Sequence, residues 1–531
     1  MFKKTLRVLL LAVASISMIA GVLQAKTPKD MFVIAKDISD TITLDPAEVF
    51  EFTGGEVIAN VYDRLMTFEP EDLTKLVCGV CETYSVSSDG KTITYKIRSG
   101  LTFHSGNPIT AEDVEFSIER VILLNKTPAF IFTQFGWNTD NVSDLITVSG
   151  DSVSMTITED FSPVLVLNTM SAGIGSIVDK KTVMSHEADG DLGYEWLKSN
   201  SAGSGPFSLK AWKANESIVL ERFPDYRHGS PAMKRVMMRH VPEPATQRLL
   251  VEKGDVDLAR NLTPDQVNGI RGNSDLKIDE GRKSQVLYIA GSATHPILGK
   301  DKVMEAIRSA VDYDGMVGSF LNGSWVKHQA FWPAGMWAGL EETPHKMDLD
   351  KAKALLAEAG HGDGFKVSLH TLTATPFPDI AQSVQATLGK IGIEVEITTL
   401  EGSALWPKYR ARALELVLAR WSPDYLDPHS NADPFVNNPD NTPEAKLTGV
   451  LAWRNSWQNK DMNKLIEEAR NESDLGKREQ QYLHIQRKMQ HIGPYAILFQ
   501  NNEQTVMRTN VNGYLSGANF DMLYLRDVTK N

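Results

Sequence analysis

Residues 89–121 have the sequence DGKTITYKIRSGLTFHSGNPITAEDVEFSIERV. Together with residues 84–88, apolar and polar side chains alternate on both sides of a Ser-Ser-Asp-Gly turn, which predicts a β-hairpin. A helix is predicted to begin after Thr110, because threonine is a good N-cap and because Glu112 and Asp113 place negative charge at the positive helix start. The stretch therefore predicts two paired strands followed by a capped helix.

The rest of the chain also alternates between strands and helices. Further hairpins are predicted over residues 145–157 and 203–223, and strands over residues 365–372 and 414–421 lie among longer helices. This order predicts mixed α/β lobes with largely parallel sheets. A chain of 531 residues is long enough for about two to four lobes. Because no long flexible linker separates them, we expect the chain to cross between lobes more than once.

The first 25 residues have the pattern of a secretory signal peptide. Lys3, Lys4 and Arg7 form a basic head, an apolar run follows, and Ala25 is the small residue before the predicted cut. The run is too short to span a bilayer comfortably, and an uncleaved membrane anchor is the alternative interpretation. We therefore expect a soluble protein that is exported to the periplasm.

Charge and motifs exclude several classes of function. The formal net charge is −12 at pH 7, and it becomes −15 when the three basic residues of the signal are removed. Nucleic acid and anionic lipid are therefore poor candidate partners. The sequence has no P-loop, H-E-x-x-H or G-x-S-x-G motif, and its 12 histidines show no metal-ligand spacing. We expect neither a cofactor nor a metal, and an enzyme is disfavoured.

The two cysteines, Cys78 and Cys81, form the sequence CGVC. In an oxidising compartment a local disulfide is plausible, although such a small loop adds little stability. A redox site is the alternative, but the surrounding sequence lacks the strand-then-helix setting of that chemistry. A structural disulfide or free thiols are favoured.

Residues 419–435, ARWSPDYLDPHSNADPF, place three aspartates among aromatic side chains. The aspartates are Asp424, Asp427 and Asp433. Asp424 and Asp427 could form a catalytic carboxylate pair, and the three aspartates with His429 and Asn431 could bind a hard metal, although the spacing fits no EF-hand loop. A single carboxylate flanked by Trp421 and Tyr425 could instead hold an ammonium through charge-assisted hydrogen bonds and cation–π contact. An ordinary solvated turn is the remaining alternative.

The chain resembles the extracellular solute-binding proteins of family 5, the oligopeptide, dipeptide and nickel class of receptors for ABC importers. The resemblance is carried by residues 41–68, 89–121, 203–259, 348–361, 378–397 and 419–428. It implies an α/β, two-lobed periplasmic-binding-protein fold with an additional smaller subdomain. The implied limits are lobe I over residues 26–70, 205–285 and 500–531, the subdomain over residues 71–204, and lobe II over residues 286–499.

The resemblance also implies a ligand site. In peptide receptors of the family, an aspartate after a tryptophan grips the peptide α-ammonium, and the matching residue is Asp424. Trp421, Tyr425 and their neighbours would form the wall around an extended ligand. Asp427 and Asp433 would be turn and capping residues. A loop of the first lobe would face the ligand from the other side; its residues are Phe52, Thr53 and Gly54.

One departure affects the predicted specificity. Dipeptide receptors of the family place an arginine for the ligand carboxylate in the segment that matches residues 369–380, where this sequence has none. Longer peptides, opine-like conjugates and other amines therefore remain open. Arg454 could supply a cation, the alternative being a structural surface role.

These observations predict a receptor that presents a peptide or another amine-bearing solute to an inner-membrane ABC permease. We expect it to act as a monomer. A receptor for a sugar or a metal chelate is the alternative, and an exported hydrolase using Asp424 and Asp427 is a remote one.

Overall fold

The computed structural model describes residues 26–69, 72–472 and 474–531. The signal peptide predicted over residues 1–25 lies outside these ranges. Within them, no helix combines the length and the apolar character needed to cross a membrane.

A sheet of eleven strands forms the centre of the molecule. Ten of its strands follow one another in space as Ile393–Leu400, Phe365–Leu372, Leu416–Trp421, Leu276–Gly291, Tyr495–Arg508, Leu258–Ala259, Met31–Lys36, Arg235–His240, Ser217–Arg222 and Phe207–Lys213. The eleventh, Trp325–Lys327, pairs with Tyr495–Arg508. The prediction of largely parallel sheets is wrong, because the sheet is mixed.

Two long strands form much of the antiparallel part of the sheet. The strands Leu276–Gly291 and Tyr495–Arg508 are long and pair antiparallel with each other along most of their length. Their register shifts between Arg282 and Val286. One end of this pair contributes to the apolar core around the Leu416–Trp421 strand, and the other end contributes to the cores around the Met31–Lys36 strand. The pair therefore crosses between two separately packed regions.

The predicted hairpin at residues 84–97 belongs to a separate four-stranded sheet, and the predicted capped helix packs against that sheet. Its strands, in spatial order, are Cys81–Val86, Thr92–Ile97, Ser152–Thr156 and Ile146–Ser149. Two of the three predicted hairpins are confirmed here by the antiparallel pairing, and the third, over residues 203–223, is confirmed in the main sheet, where Phe207–Lys213 pairs antiparallel with Ser217–Arg222. The helix Ala111–Leu124 begins with Thr110 as N-cap, whose hydroxyl accepts from the N–H of Asp113 while the Asp113 carboxylate accepts from the N–H of Thr110. This capping box satisfies two free donors of the helix start.

Helices cover the faces of the main sheet. The longer ones are Phe52–Val61, Pro244–Lys253, Asp301–Ala310, Leu349–Glu358, Phe377–Gly389, Gly402–Arg410, His429–Val436, Lys460–Asn471 and Leu475–Met489.

Cys78 and Cys81 form a disulfide between two consecutive strands, Asp72–Cys78 and Cys81–Val86. This confirms the structural alternative over free thiols. The element that follows Cys81 is a strand, which differs from the helix that a redox motif would start.

Candidate functional site

A chamber of about 670 Å³ lies beside the crossing strands, and we call it the main chamber. The lining residues on one wall are drawn from within residues 36–56, 260–265 and 516–520, and those on the opposite wall from within residues 320–325 and 372–422. A cavity of this size is in the range of small-molecule sites. The main chamber therefore lies where two separately packed regions face each other.

Five charged side chains that line the main chamber are paired with one another, namely Lys36, Glu56, Arg260, Lys283 and Glu503. Glu56 binds Lys36 and Arg260, while Glu503 binds Arg260 and Lys283. Each of these groups has a partner of opposite charge, so the network uses its charges internally. Residues 372–377, from the segment where the sequence resemblance implied an arginine for dipeptide binding, line the chamber without a basic side chain.

A second cavity of about 40 Å³ adjoins the main chamber, and we call it the side chamber. Asp424, Trp421 and Arg454 line it, and Phe52 lines both chambers. Thr53 lines the main chamber. The structure thus brings four of the predicted site residues to one small cavity.

An aromatic partition separates the two chambers. Phe52 and Phe520 stack with their ring centroids 4.9 Å apart. The guanidinium of Arg420 lies 4.2 Å from the centroid of Phe52 and donates to Asp40 Oδ2 at 2.8 Å. Because Asp40 and Arg420 lie on opposite walls of the main chamber, this ion pair joins the walls at the partition.

Asp424 follows the Leu416–Trp421 strand and is 7% exposed. Its backbone N–H donates to the Ser430 hydroxyl. In the part of the chain that the structure describes, its carboxylate oxygen Oδ2 is buried and has no hydrogen-bond partner. Burial, together with the charge of Asp521, raises the pKa of Asp424 well above its usual range, and the attraction of Arg454 does not offset this. The alternative of a solvated turn is therefore wrong.

Arg454 is 5% exposed, so the alternative of a structural surface role is wrong as well. Its guanidinium lies among three rings, with centroid distances of 5.9, 5.4 and 5.7 Å to Phe50, Tyr409 and Trp421. Nε donates to the carbonyl of Thr448 at 2.6 Å. Burial, aided by the charge of Arg410, lowers the pKa of Arg454 to about 10. Arg454 is therefore a buried cation that is stabilised by the surrounding aromatic rings.

The remaining predicted site residues do not lie where the sequence analysis placed them. Tyr425 packs into the core of the four-stranded sheet and lines a separate cavity of about 20 Å³ on the far side of Asp424. Phe52, Thr53 and Gly54 were predicted in a loop, but they begin the helix Phe52–Val61. Gly54 lines neither chamber's wall, because it packs against Val49.

The helical start of this segment has a packing reason. A Cβ at Gly54 would lie 2.9 Å from Val49, and a Cβ at Gly55 would lie 2.4 Å from the Phe520 ring. Gly54 therefore allows close packing on Val49, and Gly55 allows the helix to approach Phe520 closely, which outweighs the poor helix propensity of glycine.

Asp427 forms a bidentate ion pair with Arg478, with both N–O distances at 2.8 Å. Its Oδ1 also accepts from the N–H of His429, two residues further on, as in a turn, while the N-cap of the helix His429–Val436 is Pro428. Asp433 accepts from the side chain of Asn437. These contacts use the side chains that a metal site would need. Within the described ranges, no group of three or more His, Cys, Asp or Glu residues is placed to hold a metal ion.

Sequence reasoning missed several residues of the site. Arg420 stands next to Trp421 in the acid-rich stretch, so its position could have been noticed. Asp40 and Phe520 lie far away in sequence and belong to no motif, so no local signal identifies them. Arg410 pairs with Glu51 at 2.7 Å beside the side chamber and was missed for the same reason.

Comparisons with known proteins extend these observations. Residues 75–443 match the family model of the bacterial extracellular solute-binding proteins, family 5, middle part. The chain is 29% identical over 511 residues to a probable D,D-dipeptide-binding periplasmic protein of Escherichia coli K12, and the match covers 95% of each chain. It is 25% identical over 482 residues to a dipeptide-binding protein of the same strain, with 86% of each chain covered.

Solved structures are similar as well. An ABC transporter-associated periplasmic binding protein of Helicobacter pylori, in complex with the peptide STSA, superposes with a TM-score of 0.84 at 23% identity. That similarity covers 94% of this chain and 98% of the other chain.

Proposed function

We propose, from the premise that the chain belongs to family 5 of the bacterial extracellular solute-binding proteins, that it captures a peptide or another solute with a free amino group. The ammonium of this solute would be held by Asp424. The family is one of transport receptors, so the chain is a solute-binding protein and not an enzyme. Its fold is the two-lobed periplasmic-binding-protein fold that the sequence resemblance implied.

The choice of ligand class rests first on the relatives. Both curated relatives reported above are named for dipeptides. These names favour a peptide over a sugar or a metal chelate. The segment 372–377 lacks a basic side chain for a ligand carboxylate, so we do not restrict the proposal to dipeptides. The hydrolase alternative is not retained, since Asp427 is held by Arg478.

One observation carries the proposed site: Asp424 is a buried carboxylate whose Oδ2 has no partner within the described residues, and the residue lines both the side chamber and the cavity of about 20 Å³ beside Tyr425. Leaving such a group unpaired is costly, whereas a charge-assisted hydrogen bond from an ammonium would satisfy it. In this proposal the N-terminus of the peptide would lie in the side chamber and its body in the main chamber. The partition of Phe52, Phe520 and Arg420 would have to admit the chain between them.

The architecture supports a binding mechanism. We propose the division into lobe I (residues 26–70, 205–285 and 500–531), a subdomain (71–204) and lobe II (286–499). One apolar core has its buried residues within 286–499, and a second lies mostly within 71–204. The crossing strands would act as the hinge, and a ligand that touches both walls would favour the closed arrangement. Export by a cleaved signal peptide, action as a monomer and delivery to an inner-membrane permease complete the proposal.

Native mass spectrometry tests the proposal directly. The purified protein is incubated with an equimolar mixture of synthetic di- to pentapeptides, each also supplied in N-acetylated form, and the retained species are identified. We expect intact peptides with free N-termini to be retained in preference to their acetylated forms, because acetylation removes the ammonium. Equal retention of both forms would contradict the role of Asp424. Cleaved products would support the alternative that the protein is a hydrolase.

A further inference from the structure

The guanidinium of Arg454 differs from the other deeply buried arginines in how its charge is met. Arg120 forms a bidentate pair with Asp45, and Arg478 does so with Asp427. Arg308 donates to four backbone carbonyls. A buried charge is normally compensated in one of these two ways. Arg454 has neither arrangement.

Arg454 instead keeps a free donor. Its Nε is used by the carbonyl of Thr448, but its Nη2 is buried without a partner anywhere in residues 26–69, 72–472 and 474–531. The three surrounding rings stabilise the cation but accept no conventional hydrogen bond. A buried donor without an acceptor is costly, so a group that supplies an acceptor would bind here favourably.

Arg454 and Asp424 line the same side chamber. One has an unpartnered donor and the other an unpartnered acceptor, and no ion pair joins them in the described structure. The chamber of about 40 Å³ lies along both groups, which is space for a small polar group. The two opposite charges are therefore arranged to be satisfied by one group that carries both a donor and an acceptor.

We propose that Arg454 is a second ligand contact of the side chamber, and that the chamber recognises an α-aminoacyl head. In this arrangement, which rests on the proposed function, the ammonium donates to Asp424 and the neighbouring carbonyl oxygen accepts from Arg454 Nη2. The ammonium and the first carbonyl of a peptide are separated by a single Cα atom, so one small unit supplies both.

This arrangement sets a specificity that Asp424 alone would not give. A simple aliphatic amine brings only donors, so it would satisfy Asp424 and leave Arg454 unpartnered beside a second positive charge. A peptide brings the same ammonium, but its first carbonyl also supplies the acceptor that Arg454 lacks. The side chamber therefore selects free peptide N-termini over aliphatic mono- and diamines.

The test uses the full-length mature protein and isothermal titration. The probes are the best-retained peptide of the synthetic mixture described above, putrescine, and an analogue of that peptide with an alkene in place of its first peptide bond. The analogue keeps the ammonium and removes the carbonyl. We expect wild-type protein to bind it roughly ten- to a hundredfold more weakly than the peptide, as for a lost hydrogen bond to a charged group.

Arg454→Met keeps an unbranched side chain among the three rings and removes the donor. It should lose a similar factor in affinity for the peptide, and it should bind the alkene analogue and putrescine at least as tightly as wild type does, because neither of them offers an acceptor to Arg454. Arg412→Gln is the matched control, because Arg412 also stacks on a ring, that of Trp453, but hydrogen-bonds to Ser456 and Asn441. The control should leave all three affinities unchanged.

The outcomes separate the two proposals. If wild type binds the peptide and its alkene analogue equally while N-acetylation still abolishes binding, Asp424 holds the ammonium and the Arg454 proposal is wrong. If acetylation has no effect, the proposed function fails first. Should Arg454→Met not fold, the wild-type comparison of peptide and analogue decides the matter alone. An equal loss for every probe in Arg454→Met would assign Arg454 a purely structural role.

Discussion

Asp424 and Asp427 lie three positions apart, yet the structure predicts opposite effects of the same substitution. Asp427→Asn removes the charge from a bidentate pair whose side chains are 8% and 5% exposed, and it leaves Arg478 buried without its counter-charge. Breaking such a pair costs about 3–5 kcal/mol of folding free energy. Because Asp427 faces Arg478 and not the side chamber, the affinity of the folded protein for peptide should change little.

Asp424→Asn should do the reverse. Burial raises the pKa of Asp424, because the ionised form is destabilised in the folded protein. Removing the charge should therefore leave the free energy of unfolding equal to or higher than that of wild type. A bound ammonium, in contrast, loses its counter-charge in a buried site, at a cost of about 3–5 kcal/mol or roughly two to three and a half decades of affinity.

Two measurements on each variant suffice. Guanidinium unfolding followed by tryptophan fluorescence gives the change in stability, and isothermal titration with the best-retained peptide gives the change in affinity. The reasoning is refuted if Asp424→Asn is destabilised as much as Asp427→Asn while both bind peptide normally, because Asp424 would then be a structural group. Equal losses of affinity in both folded variants would mean that the aspartates act as one site.

Three further predictions concern the same molecule. Affinity for peptide should fall as the pH drops through the raised pKa of Asp424, and it should fall again as the pH rises above about 8, where the α-amino group loses its proton. Isothermal titrations across the pH range check this. The Asp424→Asn variant should not show the loss of affinity at low pH. Arg420→Gln removes the ion pair with Asp40 between the two walls. Small-angle scattering should therefore show a larger radius of gyration for the peptide-saturated variant than for peptide-saturated wild type. An unchanged radius of gyration would exclude this contact as a determinant of closure. Replacing Cys78 and Cys81 by serine should lower stability by at most about 2 kcal/mol, because the loop is very short, and thermal unfolding under matched conditions should reveal no larger change.

Several elements were predictable because their causes are local. The hairpin around residues 87–90 depends on alternation and a turn, and the start of the Ala111–Leu124 helix depends on Thr110 and Asp113, which are three residues apart. The helix Phe52–Val61 was placed wrongly as a loop at its start, because its two glycines argue against a helix locally. The reason for Gly55 is the close approach of Phe520, which comes from the other end of the chain.

The sequence by itself determined the family, the α/β class and Asp424 as the residue to examine, since short motifs and their order are properties of the chain. Only the tertiary structure decided which charges are paired. Arg478 reaches Asp427 across 51 positions, and Arg420 reaches Asp40 across 380 positions. Burial and pairing set the electrostatic energy of a carboxylate, and both depend on groups that meet only when distant segments pack. For that reason, three aspartates that look alike in sequence become an ion-pair partner, a side-chain acceptor within a helix, and an unpartnered carboxylate beside a chamber.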